Sequence, residues 1–107
     1  MSLVSPILRQ ANGNDGGGPR YIFWCPGCKA AHQVATGGGP GPRWGFNGNV
    51  DKPTFTPSLN VVWEGEDDGK PLREVCHSFI TDGQIQFLSD CTHALAGQTV
   101  PIPVWPR

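Results

Sequence analysis

The feature that most constrains this chain is a predicted hairpin near its C-terminal end. Two alternating runs, REVCHSFI (73–80) and QIQFL (84–88), flank Asp82-Gly83, and Asp-Gly between such runs is a strong signal for a hairpin turn. With Asp82 and Gly83 as the central turn residues, Ile80 faces Ile85, and side chains alternate between the two faces. One face then carries Cys76, Ser78, Ile80, Ile85, Phe87, Ser89 and Cys91. The hairpin therefore brings Cys76 and Cys91 within reach of one metal ion.

Two further cysteines stand close together in the stretch YIFWCPGCKAAH (21–32). Only Pro26-Gly27 separates them, which is the spacing of a tight metal-binding knuckle, and zinc prefers four tetrahedral ligands of this kind. A redox dithiol and inert buried cysteines stay open as alternatives, although no long helix follows CPGC to lower a thiol pKa. The sequence predicts a zinc site, with its ligands drawn from Cys25, Cys28, Cys76, Cys91 and His93.

Three histidines accompany the cysteines and leave the ligand set open. His32 follows the knuckle, and His77 and His93 each lie within two residues of a cysteine. A zinc ion with an open coordination position would instead be catalytic, and it would need a general base such as Asp90 or Glu74 beside a bound water. The sequence has neither the H-x-E pair of zinc deaminases nor an H-E-x-x-H motif, so no catalytic residue is predicted.

Glycine and proline divide the rest of the chain into short segments. There are 15 glycines and 11 prolines among 107 residues, and no long window shows a helical period. Strands are predicted at 20–24, 43–46 and 54–64, where Pro57 marks an edge or a bulge, and EGEDDGKP (64–71) is typical of a charged turn. We therefore expect a mainly β fold, a small antiparallel domain with a zinc-ribbon-like knuckle, long Gly/Pro loops and extended termini.

The two ends of the chain are predicted to lie outside a zinc-binding domain at 20–100. Residues 1–19 include a glycine-rich run and have too little apolar surface to offset an ordering cost of about 1–2 kcal/mol per residue, which predicts an extended arm. Residues 101–107 contain three prolines, which predicts an extended tail. We expect both ends to bind a partner or a second copy through their apolar side chains: Leu3, Val4, Ile7, Leu8, Ile102 and Trp105.

The charge and hydropathy patterns argue against several classes of protein. The net charge is -1 and the basic residues are scattered, so there is no basic field for a nucleic-acid backbone. No apolar run reaches the roughly 18 residues of a membrane helix, and the start MSLVSPILRQ does not resemble a signal peptide. We expect no nucleic-acid or membrane partner and a reducing cytoplasm, where closely spaced cysteines indicate metal or redox sites instead of disulfides.

Three stretches of the chain carry a family resemblance: FWCPGCKAAH, WGFNGNVDKPTFTPSL and CHSFITDGQIQFLSDCTHALAGQTVPIP. They resemble a family of small uncharacterised proteins of tailed bacteriophages and prophages, often labelled ammonia monooxygenase. The resemblance covers residues 20–103, with motifs in the same order at matching spacing. It implies a phage origin and a metal site at the paired cysteines and histidines, and no particular activity. In that family serine can stand at the position of Cys91, which favours His93 as the substitute ligand.

The predicted function is therefore that of a phage structural or accessory zinc protein. It would be a virion component of the capsid or tail, made in the host cytoplasm and held in place by its extended ends. Its predicted partners are other phage structural proteins or further copies of itself. Two alternatives stay open. One is a small zinc-dependent enzyme with Asp90, His77 or His93 in its chemistry, and the other is a host-interacting regulatory or anti-defence protein.

Overall fold

The computed structural model describes residues 2–12, 18–39 and 41–106 and contains two antiparallel β-sheets. The first sheet consists, in chain order, of β1 (Ser2–Leu3), β2 (Arg9–Ala11), β3 (Arg20–Cys25) and β4 (Ala30–Ala35). The second consists of β5 (Gly45–Phe46), β6 (Phe55–Asp67), β7 (Lys70–Thr81), β8 (Gln84–Phe87) and β9 (Thr99–Pro101). The predicted mainly β, antiparallel fold is confirmed. Within these described ranges no helix has the length and apolar character needed to cross a membrane.

The hairpin of β7 and β8 has the predicted turn and register. Ile80 pairs with Ile85 and Ser78 with Phe87, which confirms the alignment deduced from the sequence. The two turn residues at 82 and 83 have φ values of 50° and 77°, the left-handed pair that a two-residue hairpin turn requires. The prediction followed from local chemistry alone, because Asp-Gly tolerates this backbone and fixes which residues face each other.

The longest hairpin joins β6 and β7, and its turn lies within the predicted charged turn at 64–71. The turn itself is only Asp68-Gly69, whose φ values are 53° and 77°, and the strands continue through the rest of the segment. The predicted turn is therefore confirmed but shorter than expected, because a ribbon exposed to water on both faces carries the same charged residues as a longer turn. Most residues of this part of the hairpin are exposed.

A bulge interrupts the pairing of β6 with β7 near the start of β6. Leu59 lies opposite Ser78, and from there the register is regular to the end of the hairpin. Before it, residues 56–58 lie opposite Phe79 alone. Pro57 is inside this bulge, where its missing N–H group costs no ladder hydrogen bond. The bulge that Pro57 predicted is confirmed.

The core lies between the two sheets, which pack face to face. Side chains from both sheets that are at most 9% exposed fill it, including Leu8, Tyr21, Phe23, Cys25, Val34, Phe55, Leu59, Cys76, Ile80, Ile85 and Phe87. The inner face of the second sheet is the one that contacts the first sheet. Because side chains alternate along a strand, His77 and Phe79 of β7 lie on the opposite, outer face.

The N-terminal segment from Ser2 to Ala11 packs on this domain, whereas the partner contacts predicted for its exposed residues Leu3 and Val4 stay predictions. β1 and β2 continue the first sheet beside β3, and Leu8 is 0% exposed in the core. Ile7 is packed partly against the same core, whereas Leu3 and Val4 are exposed. Backbone pairing with β3 and the burial of one leucine offset the ordering cost that the sequence argument assigned to the arm. The glycine-rich stretch at 13–17 lies outside the described residues.

The C-terminal segment also contacts its own chain. Ile102 is 4% exposed in the core, and its N–H donates to the Gly83 carbonyl oxygen at 2.9 Å. The Trp105 ring lies 4.1 Å from the Arg9 guanidinium carbon and 6.1 Å, between ring centroids, from Trp24. Ile102 is therefore buried within its own domain, whereas a partner contact of the half-buried Trp105 stays a prediction.

Candidate functional site

A histidine on the outer face of the second sheet contacts both a serine and an aspartate. His77 Nε2 lies 3.1 Å from Ser58 Oγ, and His77 Nδ1 lies 3.1 Å from Asp90 Oδ2. The serine ends the bulge of β6, the histidine belongs to β7, and the aspartate belongs to the loop after β8. Proteins use this serine–histidine–aspartate arrangement to turn a serine hydroxyl into a nucleophile.

The pairing of β6 with β7 places Ser58 beside His77. Asn60 lies directly opposite His77, and Ser58, two residues earlier, shares its face as a diagonal neighbour. Trp44 holds the backbone of the bulge, because its indole N–H donates to the Ser58 carbonyl oxygen at 3.3 Å. Trp44 is itself attached to the end of β4, where its backbone N–H donates to the Ala35 carbonyl oxygen at 2.8 Å. The serine is therefore positioned by both sheets.

The loop after β8 places Asp90 over His77. Leu88 N–H donates to the His77 carbonyl oxygen at 2.9 Å and marks the end of the pairing between β8 and β7. Further on, Thr92 N–H donates to the Val75 carbonyl oxygen at 2.9 Å, so a main-chain bond attaches the loop to β7 again. Asp90 lies between these two attachments, so its carboxylate is held next to the imidazole.

The hydrogen bonds assign one tautomer to His77. The carboxylate of Asp90 can only accept, so His77 Nδ1 carries the proton, and Nε2 is left to accept the hydroxyl proton of Ser58. The His77 side chain is 26% exposed and the Asp90 side chain is 58% exposed. A substrate on the outer face can therefore reach the imidazole, while water partly screens the charge of the aspartate.

Four residues on the inner face form a group that could hold a metal ion, here called the metal-binding group. Its members are Cys25, Cys28, His32 and Cys76, whose ligand atoms all lie within 4.8 Å of one another. The Cys25 and Cys76 sulfurs are 3.8 Å apart. Two sulfurs bonded to one tetrahedral zinc at about 2.3 Å would lie about 3.8 Å apart, so the spacing fits such an ion. The buried His32 Nε2 has no hydrogen-bond partner among the described residues, which also fits a metal ligand.

The knuckle between β3 and β4 prepares this group for a cation. Cys28 N–H donates to Cys25 Sγ at 3.4 Å, and Lys29 N–H donates to the Cys25 carbonyl oxygen at 2.8 Å. The hydrogen bond with Cys76 lowers the pKa of Cys25, and the same bond raises the pKa of Cys76. Burial raises the pKa of Cys28 to about 11. The hydrogen bond between the two sulfurs therefore links the protonation of Cys25 to that of Cys76.

The other two predicted ligands form a second group that shares Cys76. The ligand atoms of Cys76, Cys91 and His93 lie within 4.8 Å of one another. His93 Nδ1 accepts the N–H of Leu95 at 3.2 Å, and its Nε2 is buried without a partner in the part of the chain that the structure describes. The His93 ring lies against Gly27, where a Cβ atom would be 2.3 Å from Cε1. Direct ligation by Cys91 and His93 stays a prediction.

The two sites lie back to back on one strand. Cys76 points to the inner face and His77, the next residue, points to the outer face. The loop repeats the arrangement, since Asp90 contacts His77 and the adjacent Cys91 approaches Cys76. A metal bound on the inner face through Cys76 would therefore hold the strand that carries His77.

Two hollows adjoin these sites. A cavity of about 530 Å³ lies next to the metal-binding group, with apolar walls that include Val61, Trp63 and Leu72. A shallower hollow of about 280 Å³ lies on the outer face around Phe79, which is 42% exposed. Its other walls are Thr81, Asp82, Gln84, Gln86 and Thr99. Phe79 lies opposite the bulge and shares the face of His77.

Comparison with protein families gives one match. A family model described as bacterial ubiquitination-like system serine protease (BubE) matches residues 7–88, about three quarters of the chain. The chain belongs to the BubE family. Ser58 and His77 lie inside the matched segment, and Asp90 follows it by two residues. No curated protein and no solved structure matches the chain significantly.

Membership of the BubE family corrects the predicted function. The prediction of a phage virion component is wrong, because the family is defined by a bacterial ubiquitination-like system and a serine protease. The prediction relied on an arm and a tail reaching for partners, and both ends pack on their own domain. It also relied on the apparent lack of a catalytic base, whereas His77 is positioned as one.

Ser58 was not among the residues predicted from the sequence. His77 and Asp90 were predicted only as possible parts of a zinc enzyme. A signal was present in Asp68-Gly69, because a two-residue turn there pairs the flanking strands and sets Asn60 opposite His77. Treating all of 64–71 as a turn removed that register, and with it the contact between the serine and the histidine.

Proposed function

We propose that this chain is a serine protease in which Ser58 is the nucleophile, His77 the general base and Asp90 the residue that orients the base. The observation that carries the proposal is the His77 imidazole, which lies 3.1 Å from Ser58 Oγ on one side and 3.1 Å from Asp90 Oδ2 on the other. The description of the BubE family as a serine protease of a ubiquitination-like system supports the same reaction class.

Acylation of the serine follows from these contacts. Ser58 Oγ attacks the carbonyl carbon of the substrate while His77 Nε2 takes the hydroxyl proton, and the tetrahedral intermediate then breaks its bond to the leaving amine. His77 returns the proton to that amine, so the free amine departs and an ester remains on Ser58. Asp90 keeps its negative charge throughout, and stabilises the imidazolium that exists between the two proton transfers.

Deacylation uses the same groups with water in place of the amine. His77 Nε2 takes a proton from water, the resulting hydroxide attacks the ester carbon, and the proton passes to Ser58 Oγ as the carboxylic acid is released. The exposed outer face supplies both water and room for a polypeptide. Phe79, which lies on the same face as His77, offers the substrate an apolar contact.

The proposal includes a structural zinc ion on the inner face, held by Cys25, Cys28, His32 and Cys76. Three thiolates and one imidazole are a common ligand set for structural zinc, and the sulfur spacing and the unpartnered His32 Nε2 fit it. Zinc would supply cross-linking here, because it would join the knuckle of the first sheet to β7 of the second. No step of the hydrolysis passes through this ion.

A fluorophosphonate probe tests the nucleophile directly, because such probes react with serines that a neighbouring base has activated. We expect stoichiometric labelling of the wild-type protein at Ser58, located by peptide mass spectrometry, and none in Ser58→Ala. Ser89→Ala is the matched control, since Ser89 is an exposed serine next to Asp90 that should stay unlabelled and whose loss should change nothing. Labelling at another serine, or none in folded protein, would refute the assignment.

A further inference from the structure

The thiol of Cys91 contacts the backbone of His77 in two ways. The His77 N–H donates to Cys91 Sγ at 3.2 Å, and the Cys91 thiol in turn donates to the His77 carbonyl oxygen at 3.2 Å. Cys91 is 8% exposed and directly follows Asp90 in the chain. Two successive residues therefore contact His77: the Asp90 carboxylate contacts its ring, and the Cys91 thiol contacts its main chain.

This contact replaces a hydrogen bond that the β-ladder would otherwise make. The register of β7 with β8 would pair His77 with Leu88 through two backbone hydrogen bonds. Only one of them forms, from Leu88 N–H to the His77 carbonyl oxygen at 2.9 Å. The Leu88 carbonyl oxygen instead accepts the N–H of Cys91 at 3.2 Å, as the chain turns away from β8.

The thiol thus satisfies the His77 N–H group that the turn leaves without a strand partner. An N–H group left without a hydrogen-bond partner destabilises the folded chain. The turn itself is what brings Asp90 over the imidazole, so the thiol permits the turn and holds the histidine backbone at the same time.

We propose that Cys91 is a positioning residue for the Ser58–His77–Asp90 site, acting through the main chain of His77. This inference rests on the proposed protease function. It differs from the prediction that Cys91 ligates zinc, because a zinc ligand is a thiolate, whereas the bond to the His77 carbonyl oxygen needs the proton of the thiol. Cys25, Cys28, His32 and Cys76 already make a four-ligand set without it.

Three variants separate positioning from general support of the loop. Cys91→Ala removes both bonds to His77, and Cys91→Ser replaces the thiol by a hydroxyl that can donate and accept in the same way. Thr92→Val is the matched control, because Thr92 Oγ1 makes the equivalent pair of bonds to Val75, two residues from His77. Each variant is compared with the wild type in kcat and KM for p-nitrophenyl acetate, in bound zinc, and in the downfield proton resonance of His77 Nδ1–H.

We expect Cys91→Ala to lower kcat about 10- to 100-fold, because small misplacements of reacting groups have effects of this size. Its KM should stay within a factor of about three and its zinc content should be unchanged, since no substrate or metal contact is lost. Cys91→Ser should recover most of kcat. Thr92→Val should keep kcat within a factor of about three, even if it lowers the melting temperature as much as Cys91→Ala.

Four results would overturn the inference: loss of zinc in Cys91→Ala, an equal loss of kcat in Thr92→Val, full activity in Cys91→Ala, or no recovery in Cys91→Ser. The proton resonance separates this inference from the proposed function. If the wild type neither turns over the ester nor reacts at Ser58, the protease proposal fails. The inference about Cys91 is then tested by the proton resonance alone. It is supported if Cys91→Ala abolishes the His77 Nδ1–H signal while Thr92→Val keeps it, and it is contradicted by any other result.

Discussion

Replacing Asp90 by asparagine tests whether the aspartate fixes the tautomer of His77. The carboxylate accepts from His77 Nδ1–H at 3.1 Å, whereas an amide in the same place can donate to Nδ1 and so move the ring proton to Nε2. His77 then has no lone pair for the hydroxyl proton of Ser58. A change of tautomer in such a site lowers kcat by about 10⁴-fold.

The exposure of Asp90 sets the expected size of the effect. Its side chain is 58% exposed, so water can compete for His77 Nδ1 and leave a fraction of the rings in the active tautomer. We therefore expect Asp90→Asn to lower kcat between about 10²- and 10⁴-fold, which corresponds to about 2.7–5.5 kcal/mol of transition-state stabilisation. The rate of fluorophosphonate labelling at Ser58 should fall in parallel.

The assay combines single-turnover labelling with steady-state hydrolysis of p-nitrophenyl acetate at neutral pH. Asp68→Asn is the matched control, because Asp68 is an exposed aspartate at the turn between β6 and β7, where asparagine tolerates the φ of 53° equally well. It should react like the wild type. An Asp90→Asn protein that folds, binds zinc and keeps more than about a third of the wild-type rate would show that Asp90 does not orient the base.

Two further predictions concern the inner face. Purified protein should contain about one zinc per chain by elemental analysis. A chelator, or acid that protonates the thiolates, should remove the zinc and lower the melting temperature by more than about 10 °C. Fully reduced protein that lacks zinc and melts at the same temperature with and without added zinc would contradict this prediction. Gly27→Ala should destabilise the fold by about 1–3 kcal/mol in a denaturant titration, because the added Cβ would lie 2.3 Å from the His93 ring. Gly38→Ala is the control and should be nearly neutral, because a Cβ there meets nothing within 4 Å. Equal stabilities of the two variants would show that the His93 ring moves aside freely.

Local chemistry made part of this structure predictable. Asp82-Gly83 specifies its turn by itself, and the two-residue period of strands then places Cys76 and Cys91 on one side. The CPGC knuckle likewise needs only its own four residues to bring two sulfurs together. In each case the information lies within a few residues, so it can be deduced without knowledge of the rest of the fold.

The remaining features depend on contacts between distant segments. Ser58 becomes significant only when β6 and β7 are known to pair through Asp68-Gly69, and that turn sits among charges that also suit a loop. Leu8 lies in a short apolar patch before a glycine run, so its local pattern is that of an arm. Its burial comes from backbone pairing with β3, which no local pattern encodes. The candidate catalytic site was missed for the same reason that the arm was misjudged.

The use of both faces of β7 by successive residues determines which genetic changes the chain can accept. A single-codon insertion or deletion inside β7, on the N-terminal side of Cys76, would turn that cysteine towards water and His77 towards the interior, so one event would disable both sites. The same insertion at the tip of the β6–β7 hairpin, between the exposed residues Asp68 and Gly69, would keep the strand pairing from Leu59–Ser78 to Asp67–Lys70 unchanged. Length variation among relatives should therefore collect at that tip, and fusion of a reporter or an affinity tag there should leave the protein functional.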